Sequence, residues 1–313
     1  MDLQIRCPRC GAFVEAEKVF CVRCGHRVIP LTVYDLSVDD FVYPPDREGL
    51  ESLKQFKFAF PVINALLVER YVKEVLRWLS KNASRIDFSS KLGSIIRESA
   101  LILGLRSLPP SYIAASDKPN AFTFGSTKQR YLVITSKLLD LLSEDEVKAV
   151  IGHELGHIKC EHVAYHTLAE ILMRGMEFSS RILGAGLELL SPMFRLMLLS
   201  WHRESEISAD RASLLVAGDL RIVESALRKL EKYYGEGGGP VESLFEVFST
   251  HPIHPNRIKM LREYYRSSEY SRAVEKIRRR LSYAKALTPR CRYCGAVKKI
   301  TDLFCPVCGR SQI

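Results

Sequence analysis

Two histidines four residues apart, in the run His153-Glu154-Leu155-Gly156-His157, constrain this chain more than any other feature. Residues i and i+4 of a helix differ by about 40° around its axis, so the two imidazoles project from one face only if the run is helical. The flanking residues predict that helix. Ser143-Glu-Asp-Glu146 reads as a capping box with acids in the first turn, and Val147, Val150, Ile151, Leu155 and Ile158 recur at helical spacing. Imidazoles so placed can share a metal. Glu154 beside them is placed to take a proton from an attacking water, which zinc would make nucleophilic at neutral pH.

Zinc needs a third protein ligand. The arrangement with Gly and His three and six residues beyond the second His is excluded, because Cys160 and Val163 stand there. The other arrangement draws a Glu from a later helix. Trp201-His-Arg-Glu-Ser-Glu206-Ile-Ser-Ala-Asp210 supplies Glu206 as ligand, with Glu204 as a rival. Asp210, one turn further on, is placed to orient a ligand imidazole.

Eight of the nine cysteines fall in four Cys-x-x-Cys pairs. Cys7/Cys10 and Cys21/Cys24 lie at one end of the sequence, Cys291/Cys294 and Cys305/Cys308 at the other, with equal spacing and a Gly after each pair. Units this small cannot bury a core of their own, so the pattern predicts two zinc ribbons, at residues 1–30 and 287–313, folded around metal. Cys160 reads as a small core residue. Paired thiols, and a start (MDLQIRCPRC) without an apolar leader stretch, predict a reducing, cytoplasmic setting. Three zinc ions per chain are expected, one catalytic and two structural.

The remainder, residues 31–286, reads as one mainly helical α+β domain. Helical periodicity covers about 48–79 and 90–103. A strand pair follows at 120–125 and 130–135, read as a small antiparallel sheet. One or two helices cover 163–201, a Gly-rich loop 235–240, and a basic helix about 257–287. The net charge of +10 is concentrated late: from His251 onward there are fifteen Lys/Arg against four Asp/Glu. That skew argues against a uniformly basic nucleic-acid binder. Arg278-Arg279-Arg280, Lys285, Arg290 and Arg292 leave an anionic partner as the weaker alternative.

As a set, these motifs resemble the HtpX-like metallopeptidases, the family that includes the CAAX prenyl endopeptidases. The similarity spans roughly residues 45–265. It rests on Pro119-Asn120-Ala121, the His-Glu-Leu-Gly-His run, Glu206 with Asp210, and Ser249-Thr-His-Pro252 with Arg257. The resemblance implies a gluzincin-type endopeptidase acting on extended or misfolded polypeptide. It implies that Asn120 and Ala121 lie where an edge strand holds substrate, and that His251 and Arg257 stabilise the oxyanion; His254 competes with His251. Many relatives cross the membrane between the second and third ligands. Here Glu170, Arg174, Glu177, Arg181, Glu188 and Arg195 interrupt that region, so no span is expected; membrane-surface docking is the alternative. The ribbons are expected to pair with each other or to bind a partner. A second functional reading is a latent protease fold that serves as a ribbon-bearing adaptor.

Overall fold

In the structure, a computed structural model, the described residues are 4–15, 18–29, 31–56, 60–174, 191–236 and 256–287, together with 291, 293–294, 296, 304–305 and 307–311. The first ribbon opens with a hairpin in which β1 (Gln4–Arg6) pairs antiparallel with β2 (Phe13–Glu15). Each of its two cysteine pairs closes a tight turn, with Gly11 N–H donating to Cys7 O and Gly25 N–H to Cys21 O. The second ribbon repeats this: Gly309 N–H donates to Cys305 O, and the bridge Phe304–Ser311 matches Phe20–Arg27. The surroundings differ. Phe20 is buried in the main core, whereas Phe304 is 62% exposed. The first ribbon is pinned to the body by Leu108 N–H donating to Gly25 O (2.8 Å) and by a buried triad in which Arg27 and Arg280 both hold Asp35. Arg280, read from the sequence as part of a basic surface, is thus a buried structural charge.

Helix α1 (Pro44–Lys54) starts on two prolines, whose fixed φ and missing N–H suit a first turn. The expected long helix over 48–79 is broken. α2 (Phe60–Ile63) runs through a wide π turn, Asn64–Val68, into α3 (Glu69–Asn82). After β3 (Ala83–Arg85), α4 (Lys91–Ile102) leads to β4 (Ser111–Ala114), β5 (Ala121–Gly125) and β6 (Arg130–Thr135).

The sheet is mixed rather than antiparallel, in the order β3-β4-β6-β5. From β4 the chain skips one position to lay down β5, and β6 returns into the gap, antiparallel to β5 and parallel to β4. Leu132 and Ile134 of β6 enter one apolar core, with Ile96, Leu103 and Leu155. Tyr131 and Val133 enter the other, with Val75, Leu79, Leu168 and Trp201. Burial on both faces explains the unbroken apolar run Tyr131–Ile134. Among the described strands β5 is an edge.

α5 (Ser136–Leu141) leads to α6 (Glu144–Lys159), then α7 (Val163–Arg174), α8 (Pro192–Ala217), α9 (Leu220–Glu236), α10 (Asn256–Tyr265) and α11 (Ser268–Leu287). The single basic helix expected over 257–287 is two helices. Most of the Gly-rich loop at 235–240 lies outside the described residues.

The capping box of α6 forms. Ser143 Oγ accepts from Glu146 N–H, and the Glu146 carboxylate accepts from Ser143 N–H (2.7 Å), Ser225 Oγ (2.6 Å) and Lys229 Nζ (2.7 Å). Burial alone would push the Glu146 carboxyl up; these donors outweigh it and hold it at about 2, below its ordinary 4.5. A carboxyl depressed on folding stabilises above its unfolded pKa, and the contribution fades as pH falls through the folded value. Glu146→Ala is therefore expected to cost about 2 kcal/mol near neutrality. Denaturation midpoints should show the wild-type advantage shrinking between pH 4.5 and about 2.

Candidate metal centre

α6 and α8 approach closely because two positions on α6 carry no side chain. A Cβ on Gly152 would lie 2.7 Å from Val216 Cβ, and one on Gly156 2.6 Å from Ala212 Cβ. The backbones can therefore come nearer than larger residues allow. Ser213 Oγ donates to Ala149 O across the seam (2.7 Å).

This contact brings Glu206, on α8, to the two histidines of α6. His153 Nε2 and His157 Nε2 are 3.1 Å apart; Glu206 Oε2 lies 3.4 Å from the first and Oε1 3.4 Å from the second. All three residues are buried, as is Glu154. Nitrogen and oxygen ligands at tetrahedral angles around zinc stand roughly 3.3 Å apart, so the donor set and its spacing fit that ion. Glu204, the rival ligand, is half-buried and lies outside the metal-competent groups among the described residues.

The outer nitrogens are held too. His153 Nδ1 lies 3.1 Å from Asp210 Oδ1. A carboxylate there accepts the Nδ1 proton and leaves the Nε2 lone pair facing the centre. Asp210 is gripped by Arg257, whose Nε and Nη2 donate to its two oxygens at 2.7 and 2.6 Å, while Nη1 lies 3.4 Å from Glu206. Burial pushes the Asp210 carboxyl up, but the Arg257 charge and hydrogen bonds prevail and hold it at about 2. Burial pushes His157 down to about 4 against the pull of Glu206, so the imidazole is neutral near neutrality, as a metal ligand needs to be. The structure thus places Arg257 as a fork on two carboxylates. His251 and His254 lie outside the described residues.

His157 has a second neighbour that sequence reading missed. Its Nδ1 lies 3.1 Å from His162 Nδ1, and His162 Nε2 lies 3.0 Å from Asp46 Oδ2. Asp46 sits on α1 and also accepts from Trp201 Nε1 (2.7 Å) and Ser208 Oγ on α8. Asp46 and His162 are fully buried. Lone polar residues carry no periodic signal; only the excess of histidines after the motif (His162, His166, His202) hinted at them. His166 and His202 lie beside Glu206 with ring centroids 4.3 Å apart and planes tilted by 32°, and His166 Nε2 is 2.6 Å from Ser205 Oγ. Burial and the surrounding histidines push His166 well below its ordinary value.

Asn120 immediately precedes edge strand β5. Its N–H donates to Thr135 Oγ1 (2.7 Å), and its buried Nδ2 has no hydrogen-bond partner among the described residues. Ala121, paired with Ile134, begins the strand. Cys160 caps α6 and is buried, with its thiol pushed well up by desolvation.

The eight paired cysteines form two separate groups, Cys7/Cys10/Cys21/Cys24 and Cys291/Cys294/Cys305/Cys308. Their closest Sγ–Sγ distances are 3.6 and 3.7 Å in the first and 3.6 Å twice in the second. The edge of a four-thiolate zinc site, with Zn–S about 2.3 Å, is roughly 3.8 Å. None of these thiols is in a disulfide.

Known proteins resemble this chain over more than half of its length. The model for peptidase family M48 matches residues 89–265. The chain is 35% identical over 229 residues to the plastoglobule-localized metallopeptidase 48, chloroplastic, of Arabidopsis thaliana, covering 69% of this chain and 63% of that protein. It is 29% identical over 241 residues to the protease HtpX homolog of Paraburkholderia phytofirmans (63% of this chain, 82% of that protein). Against the protease HtpX homolog of Thermoplasma volcanium it is 31% identical over 197 residues (56% and 61%). It therefore spans less than two thirds of the plant and Thermoplasma relatives. Among solved structures, Ste24p of S. mikatae aligns over 70% of this chain and 61% of that one, at 18% identity and a TM-score of 0.40.

Proposed function

Because this chain belongs to peptidase family M48, we propose that it is a zinc-dependent endopeptidase acting on extended or misfolded polypeptide. The observation that carries the reading is the buried triangle of His153 Nε2, His157 Nε2 and Glu206, with Glu154 between the two histidines in sequence. Zinc held there would activate a water and polarise the scissile carbonyl. Glu154 takes the proton of that water as it attacks and passes it to the leaving amine. Asp210 keeps the His153 proton on Nδ1, and Arg257 keeps Asp210 ionised and in place. The substrate lies along the β5 edge of the described sheet by backbone pairing, with Asn120 and Ala121 at the start of that strand. His251 is proposed as a further donor to the developing oxyanion.

The cysteine groups each hold a structural zinc, for three ions per chain. The paired thiols suit a reducing, cytoplasmic setting. No helix among the described residues is long and apolar enough to cross a membrane. A latent protease fold that presents its ribbons to a partner is the second reading, favoured by the exposed Phe304, Val307 and Tyr293 of the second ribbon.

The test is hydrolysis of an unfolded protein such as casein, with metal analysis of the same sample. The expected result is cleavage, abolished by a chelator, with three zinc ions per chain and ribbon thiols resistant to alkylation. Three zinc ions without hydrolysis would favour the latent reading. About one zinc per chain, with the ribbon thiols freely alkylated, would remove the ribbons.

A further inference from the structure

The matched peptidase segment begins at residue 89, yet a carboxylate from residue 46 meets His162, the histidine in contact with His157. We propose that Asp46 and His162 are positioning residues for His157, so that helix α1 completes the metal centre from outside the segment the family profile covers. The inference rests on the metallopeptidase reading above.

The argument begins with the protons. For His157 to ligate through Nε2, its own proton must sit on Nδ1. The atom facing that proton at 3.1 Å is His162 Nδ1, which can accept only as a bare lone pair. The His162 proton must then sit on Nε2, which lies at ion-pair distance, 3.0 Å, from Asp46 Oδ2. With His157 ligating through Nε2, the protons of all three residues are thereby assigned, and the His157 lone pair is aimed at His153 and Glu206. Metal-bound histidines commonly carry such an outer partner. Here the partner is itself a histidine, and the terminal anion comes from another helix.

The backbone supports the arrangement independently. Glu161 has φ +64°, the sole positive-φ residue other than Gly among those described. Such a conformation is costly for a side-chain-bearing residue and persists where surrounding contacts over-determine it. It turns the chain sharply after α6, so that His162 N–H donates to His157 O (2.9 Å) and its ring folds back onto His157. The Glu161 carboxylate is in turn met by Lys54 Nζ (2.9 Å). α1 therefore holds this turn at two points, through Asp46 and Lys54. Asp46 is bound as well to Trp201 and Ser208 of α8, the helix that delivers Glu206. The site is thus tied together from both sides of the triangle.

The test measures zinc per chain across buffers of fixed free zinc, with circular dichroism to confirm folding. The two ribbon equivalents serve as the internal reference. Removing the acceptor with His162→Leu is expected to raise the free-zinc midpoint of the third equivalent 10- to 100-fold, a range typical of outer partners. His162→Asn, whose amide oxygen takes the place of Nδ1, should stay within about threefold of wild type, on the geometry of the two side chains. His162→Gln, whose oxygen falls nearer Nε2, should be displaced like leucine. Asp46→Asn should fall between wild type and leucine. A leucine midpoint equal to wild type, or asparagine displaced as far as leucine, overturns the proposal. Should leucine fail to fold, Asn near wild type and Gln displaced supports it, and equal midpoints for the two overturn it. A wild type that never holds a third zinc overturns the metallopeptidase reading along with it, whereas normal wild-type binding with indifferent variants overturns this inference alone.

Discussion

Glu154→Gln is expected to keep its third zinc and lose cleavage of unfolded protein by about 10³-fold, or roughly 4 kcal/mol of transition-state stabilisation. The substitution exchanges one oxygen for an NH₂ of nearly equal size at a position only 1% exposed. Packing should survive, and the metal ligands on either side are untouched. What disappears is the group that accepts the water proton and later delivers it to the amine. Single-turnover rates, paired with metal analysis, check this. Zinc lost together with activity would show that Glu154 holds the site's shape rather than the proton. Equal cleavage by variant and wild type would assign the hydrolysis to a contaminant. The inactive, loaded variant is also the natural trap for substrates in a cell extract.

Arg257→Ala carries the second large effect, and this one falls on stability and metal affinity together. The guanidinium is buried and bonded through two nitrogens to Asp210, with the third near Glu206. Removing it leaves two buried carboxylates without their counter-charge, at a cost of about 3–5 kcal/mol. Asp210, held at about 2 in the intact protein, would then be driven upward by burial. Once protonated it no longer commands the Nδ1 proton of His153, and zinc affinity should fall about 10- to 100-fold. Arg257→Lys keeps the charge without the fork and should recover only part of the loss. A double-mutant cycle with Asp210→Asn measures the pair directly. If the double variant is as destabilised as the sum of the singles, the two residues act independently and the clamp is wrong. If the arginine substitutions change cleavage alone, with stability and zinc unaffected, Arg257 serves the oxyanion, as the family resemblance implied.

The two effects separate chemistry from architecture. Glu154 acts on the reacting water and should be silent in a melting curve. Arg257 acts through Asp210 and His153 and should be conspicuous in one. Zinc itself ought to move the melting temperature of the wild type, because a ligand that binds only the folded state stabilises it by mass action.

Local sequence determined the features that a fixed short spacing defines. The i, i+4 histidines, the capping box that starts their helix and the knuckle spacing of the cysteines each occupy a few consecutive residues, so periodicity and spacing suffice to read them. Glu206 and Asp210 were legible for the same reason: one turn of α8 sets their separation, whatever that helix packs against. Tertiary structure alone decided how those pieces meet. The strand order, with β6 slipping between β4 and β5, depends on the path of the chain through space. The approach of α6 and α8 depends on two glycines facing Val216 and Ala212, residues some sixty positions away. Asp46 gives no signal in its own neighbourhood, where it reads as the last residue of a Pro-Pro-Asp turn ahead of a helix. Its meaning comes from His162, more than a hundred residues later, and from the burial that makes a lone carboxylate seek every available donor.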